Sequence, residues 1–143
     1  MPRFTGYAEH AFDDKGRLVV PVRFRERLGP RFILTIAQPD PCLALYPIEA
    51  WEQFCERLDE APVKDERFRR LVRYLFANTD HTGCDGQGRL LVPQALRAYA
   101  GIDREAVSIG THRRVEIWAK ERNPLVPPAD DEFAVFATEL GLY

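Results

Sequence analysis

The chain writes one nine-residue phrase twice. DDKGRLVVP at 13–21 returns as DGQGRLLVP at 85–93, 72 positions later, with Asp, Gly, Arg, Leu, Val and Pro in register. The register persists beyond the phrase: Arg25 falls against Arg97, Gly29 against Gly101, and Tyr46 against Trp118. Half of a 143-residue chain buries its apolar surface poorly alone, so two copies gain by sharing one core. This duplication constrains the fold more than any property of composition.

Each copy has the same local grammar. RLVVP and RLLVP are short apolar runs closed by Pro21 and Pro93. They are too short for a helix and contain β-branched residues, so they predict strands that stop where proline ends ladder donation. VRFRERLG and QALRAYAG predict one or two helical turns ending at Gly29 and Gly101, residues suited to the position after a helix. FILTI with CLALY, and AVSIG with RVEIW, then predict hairpins joined by AQPDP and THR. The unit is strand, short helix, hairpin.

Between the copies, PIEAWEQFCERLDE spaces Trp51, Phe54, Cys55 and Leu58 for one helical face. DERFRRLVRYLFA does the same with Phe68, Leu71, Val72, Leu75 and Phe76, and Pro62 separates the two into a helical hairpin. After the second copy, NPLVPP interrupts any element, and DDEFAVFATELG offers Phe133, Phe136, Ala137 and Leu140 on a last amphipathic helix.

Hydrophobic content of 45% and charged content of 29% fit a globular chain. No apolar run approaches the ~20 residues of a membrane span, and the start lacks the charged-then-apolar order of a signal peptide. Cys42, Cys55 and Cys84 form no C-x-x-C pair, so neither a disulfide framework nor a zinc knuckle is expected. A reducing cytoplasm is the expected location. The formal charge is -2, yet Lys15 to Arg31 holds six bases and one acid. Charge placement thus permits contact with phosphate.

In D-x-x-G-R, Asp13 and Asp85 can accept backbone N–H bonds in a tight turn, and Gly16 and Gly88 allow positive φ. Arg17 and Arg89 follow the aspartate by four residues, within reach of a bidentate pair. A duplicated turn stapled by ion pairs is one reading. An arginine fork also suits phosphate and guanine edges, and Lys15 beside Arg17 favours DNA contact there.

D-x-K-G-R-x-x-x-P followed by D-x-x-G-R-x-x-x-P, with CLALYPIEAWE and RVEIW after the respective copies, resembles the MraZ family of bacterial transcriptional regulators. The resemblance runs from about Phe4 to Trp118. It implies a mainly β fold with helices: an AbrB-like double-split, swapped-hairpin β-barrel of two interleaved pseudo-repeats, a helical hairpin between them and a C-terminal helix. The expected domains are SpoVT-AbrB-like repeats at 4–50 and 79–122, a helical connector at 51–78 and a tail at 123–143. It further implies rings of identical subunits that bind repeated boxes of double-stranded DNA upstream of the division and cell-wall gene cluster, and a nucleoid-associated location. Lys15 and Arg17 stand on the motif positions that imply DNA contact. Arg89 holds the matching place in the second copy, where Gln87 replaces a lysine. Phe4-Thr5-Gly6 stands where the family often has F-R-G, and the proline-rich tail departs from the common helical continuation.

An enzyme is not expected: no catalytic, metal or cofactor constellation and no small-molecule site is apparent. His10, His81 and His112 lack ligand spacing and read as solvated loop residues. Cys84 has no base beside it. Trp51 and Trp118 read as core or subunit contacts. Arg67, Arg70 and Arg73 could line a DNA groove but read more simply as a solvated helix face. The rival to a DNA-binding regulator is an oligomeric structural or protein-interaction module.

Overall fold

The computed structural model describes residues 3–129 and 131–142. Strands β1 (Tyr7–Ala11) and β2 (Arg17–Val19) lead to helix α1 (Val22–Leu28) and the hairpin β3 (Phe32–Ala37) and β4 (Cys42–Pro47). Helices α2 (Ile48–Asp59) and α3 (Glu66–Ala77) follow. The second copy runs through β5 (Asp80–Thr82), β6 (Arg89–Leu91), α4 (Gln94–Tyr99), β7 (Glu105–Gly110) and β8 (Val115–Ala119). A single 3₁₀ turn, Lys120–Arg122, and helix α5 (Glu132–Glu139) end the described chain.

The two copies exchange strands. The main sheet has the order β1-β7-β8-β4-β3-β5 and is entirely antiparallel, and each copy's first strand pairs with the other copy's hairpin. Strands β2 and β6 form a separate two-stranded ribbon. The interleaving that the family resemblance implies is therefore present, in a sheet whose pairings do not close. Leu18 faces Leu90 in the ribbon and Ala44 faces Glu116 in the sheet. Each of these pairs joins a residue to its own counterpart 72 positions on, so a pseudo-two-fold axis passes through both layers.

Strands β3 and β4 are buried along their whole length because both faces are covered. On the inner face, Phe32, Leu34, Ile36, Leu43, Leu45, Val115 and Ile117 meet Leu18, Val20, Leu90 and Val92 from the ribbon region and Phe24, Leu28 and Leu96 from α1 and α4. On the outer face, Ile33, Ala44, Tyr46, Val107 and Trp118 lie under Ala50 and Trp51 of α2. The alternation of a half-buried strand is absent here for that reason. Glu116 would be costly on this outer face without partners. Arg114 Nη2 donates to its Oε2 at 2.6 Å, and Trp118 Nε1 donates to its Oε1 at 3.0 Å. Arg114 also reaches the Tyr46 hydroxyl at 2.7 Å. Burial, reinforced by Glu116, pushes the Cys42 thiol up to about 12.

Helix α3 starts on Asp65, whose carboxylate accepts from the Phe68 N–H at 3.1 Å, an ordinary N-cap. Helices α1 and α4 start instead directly after Pro21 and Pro93, whose fixed φ prepares the entry. His10 is a correction to the solvated reading: its Nε2 lies 2.5 Å from the hydroxyl of buried Ser108. The physical reason is strand β1, which pairs on β7 and carries His10 against the sheet. His81 and His112 are exposed, as expected. No helix among the described residues is long and apolar enough to cross a membrane.

Candidate nucleic-acid interface

The repeated phrase builds two turns of nearly identical geometry. In the first, Asp13 Oδ1 accepts from the backbone N–H groups of Lys15 and Arg17, each at 2.9 Å, and Oδ2 accepts from Arg17 Nε at 2.8 Å. In the second, Asp85 Oδ1 accepts from the N–H groups of Gln87 and Arg89 at 2.9 Å, and Oδ2 accepts from Arg89 Nε at 2.8 Å. Backbone bonds close each turn: Asp13 N–H to Arg17 O at 2.9 Å and Asp85 N–H to Arg89 O at 2.9 Å. The Arg17 N–H, then its side chain, holds the Asp13 carboxyl below its usual range, and Arg89 does the same for Asp85. The ion-pair staple is real in both copies. It occupies only Nε of each guanidinium, and among the described residues the terminal nitrogens of Arg17 and Arg89 take no other hydrogen bond.

Gly16 and Gly88 have φ of 77° and 76°, the left-handed conformation that disfavours a side chain. A second constraint reinforces the first. A Cβ on Gly16 would lie 2.9 Å from the Arg97 guanidinium, and one on Gly88 would lie 2.7 Å from that of Arg25. Arg25 belongs to the first copy and Arg97 to the second, so each copy's short helix lays an arginine on the other copy's turn. Both are anchored through Nε, Arg25 on Val20 O at 2.8 Å and Arg97 on Val92 O at 3.1 Å. Their shared register is visible in the sequence. What is not visible there is the strand exchange that sends each to the opposite turn.

The ribbon between the turns has two unlike faces. Leu18 and Leu90 point into the core. Arg17 stands opposite Leu91 and Val19 opposite Arg89, so these four side chains share the outward face. Val19 and Leu91 are 54% and 56% exposed, unusual for apolar residues on a strand that has a core available. Arg17 and Arg89 are diagonal neighbours, roughly 7–8 Å apart at the backbone. Each is offset by its own aspartate, which lets two cations sit side by side. Lys15 is exposed at the first turn, and Gln87 takes its place at the second. Asp14 is also exposed there, 3.4 Å from Arg104.

Chemically, the arrangement offers donors in planar forks, one exposed ammonium and two apolar side chains on the outward face of a two-stranded ribbon. Forks suit phosphates and guanine edges, apolar tips suit the thymine methyl, and a two-stranded ribbon fits the major groove. The structure thus gathers Lys15, Arg17, Arg89, Asp13, Gly16, Asp85 and Gly88 at one surface, while Pro21 and Pro93 terminate the ribbon strands. Sequence reasoning missed Val19, Leu91, Arg25 and Arg97; the outward alternation in RLV and RLL was the available signal for the first two. Arg67, Arg70 and Arg73 stand on α3 and not on the ribbon, and Arg67 pairs with Asp65 at 2.9 Å. Among the described residues, no group of three or more His, Cys, Asp or Glu is placed to hold a metal ion.

A chain whose duplicated halves swap strands, and whose repeated turns meet on one ribbon, is a fused pseudo-dimer of the AbrB-like class. The sequence matches the family described as "MraZ protein, putative antitoxin-like" over residues 3–74 and 75–122. It is 44% identical over 119 residues to the transcriptional regulator MraZ of Clostridium acetobutylicum, covering 83% of each chain. It is 44% identical over 118 residues to that of Thermomicrobium roseum, covering 82% of each. Identity is 42% over 142 residues to that of Clostridium tetani, covering 97% of this chain and 99% of the relative. The chain belongs to the MraZ family.

Proposed function

We propose that this protein is a sequence-specific DNA-binding transcriptional regulator that reads direct-repeat boxes upstream of the division and cell-wall gene cluster, as a ring of identical subunits. The observation that carries this reading is the outward face of the β2–β6 ribbon. There the two D-x-x-G-R turns present Arg17, Arg89 and Lys15 together, with the terminal nitrogens of both arginines available. A relative that matches nearly the whole chain is named a transcriptional regulator, which supports the regulatory role over a catalytic one. The expected setting is the nucleoid in the cytoplasm.

Each residue has a distinct task in this reading. Arg17 reads a base edge, Arg89 adds a second and lesser contact, and Lys15 neutralises phosphate. Asp13 and Asp85 aim the arginines by fixing Nε, which reduces the rotamer freedom lost on binding. One ribbon contacts few phosphates, and non-specific binding of that kind is on the order of 10⁻⁴ to 10⁻⁶ M. Joining tips through an assembly adds roughly 10² to 10⁴ in avidity, which makes repeated boxes the natural target.

The test is titration of the protein with its own upstream DNA at two salt concentrations. Arg17→Ala should lose about 1–3 kcal/mol per engaged tip and relax discrimination at one base. Lys15→Ala should weaken all sequences alike and flatten the salt slope. In the rival account the arginines are staples only. Normal operator binding by Arg17→Ala with a lowered melting temperature would establish that account and move the DNA surface elsewhere.

A further inference from the structure

Helix α5 is apolar around most of its circumference and packs on no other element beyond marginal contact among the described residues. Phe133, Phe136 and Leu140 are 60%, 59% and 57% exposed. They fall at the i, i+3, i+7 spacing by which an amphipathic helix anchors in a groove, while the small Ala137 between them is already buried within its own chain. The same chain has such a groove. Helices α2 and α3 and the outer face of the sheet leave a cleft of about 250 Å³ walled by Trp51, Phe54, Leu58, Leu71 and Tyr74, with Arg114 at its floor. Its volume is below the roughly 300–1,000 Å³ usual for small-ligand sites and suits one or two protruding side chains. Arg114 is already neutralised by Glu116 at 2.6 Å, so the floor does not call for an anionic ligand.

Charge and position identify the occupant. Helix α3 carries Arg67, Arg69, Arg70 and Arg73 against one acid, Glu66. Arg70 and Arg73 make no ion pair among the described residues. Asp131, Glu132 and Glu139 give the α5 segment three acids and no base. The segment before α5 shares a shallow surface pocket with Tyr7 and Glu9 on edge strand β1. Helix α3 runs directly into β5, the opposite edge strand. Six strands at about 4.8 Å separate those edges by roughly 24 Å. No α5 residue lines the cleft of its own chain, and Pro124, Pro127 and Pro128 stiffen the connection to it.

We propose that α5 of one copy docks in the α2–α3 cleft of the next copy, with Phe133 and Phe136 as its anchors. Donor and acceptor surfaces at opposite edges of one subunit make a heterologous, head-to-tail contact, the kind that closes into a ring. This inference rests on the ring assembly within the proposed function and supplies its joint.

The test compares wild type, Phe136→Asp and Leu71→Glu by light scattering, with circular dichroism to check folding. Leu71 is half exposed, and α5 contributes little to the remaining fold, so both variants should keep the wild-type spectrum. Each should shift the dissociation constant of the assembly by at least tenfold towards monomer. Mixing the two should restore dimers, because one retains an intact cleft and the other an intact helix. A photoreactive benzoylphenylalanine at position 136 should crosslink to α2 or α3 of another chain. A monomeric wild type would remove the ring reading itself. An assembled wild type whose Phe136→Asp and Leu71→Glu variants stay assembled, or a crosslink confined within one chain, would overturn the docking proposal while leaving the ring intact.

Discussion

The aspartate in each turn does two jobs that can be separated by titration. Asp13 and Asp85 are held below the usual carboxylate range in the folded protein, chiefly by the backbone N–H of Arg17 and Arg89. Their stabilisation is present above the unfolded value near 4 and is lost as pH falls through the folded value. His10 is lowered by burial, so its contribution is present above about 6.5 and declines below it. A melting-temperature profile should therefore fall first below about pH 6.5 and again below about pH 4. Asn in place of His10 should remove the first step, and Asp85→Asn should reduce the second. The exposed pair on the ribbon makes a further case. Replacing Val19 and Leu91 by Ser should leave the melting temperature near wild type, since neither fills the core. If the ribbon enters a groove, affinity for operator DNA should fall several-fold, measured by fluorescence anisotropy.

Among elements, the repeated strand, short helix and hairpin were legible because their signals are local: a proline stop, a glycine after the helix, a turn between apolar runs. The helical hairpin and α5 were legible from apolar spacing. Strands β1 and β5 were not. YAEHA and DHT are short and polar, and only pairing with β7 and β3 makes them strands. The site was half legible for the same reason. The turn residues are adjacent in sequence, but the arginines that cover Gly16 and Gly88 arrive from the opposite copy. Gly88→Ala tests that packing. A left-handed alanine costs roughly 1–2 kcal/mol, and displacing Arg25 adds to it, so denaturant unfolding should show a loss of about 1–3 kcal/mol. Gly16→Ala should behave alike through Arg97.

For the molecule as a whole, exchange of strands makes the halves inseparable. Strand β3 pairs with β5, and β1 with β7, so neither copy can unfold while the other stays native. Calorimetry should show one transition for residues 3–122. Residues 1–78 expressed alone should either remain unfolded or pair with a second copy of themselves, and adding 79–143 should recover the native spectrum. Leu90 sits on the pseudo-two-fold axis with no exposure, and Leu90→Ala should cost about 2–5 kcal/mol without splitting that transition.

The inequality of the two turns has a consequence for the DNA itself. Two separate identical chains around such an axis would be obliged to present the same side chains twice, and their best target would be a palindrome. Here one polypeptide supplies both halves, so Lys15 on one side can stand against Gln87 on the other. A ribbon of this kind has polarity. The box it prefers should read differently from its two ends, and inverting a single box within its array should be felt as a mismatch, even though its base composition is unchanged.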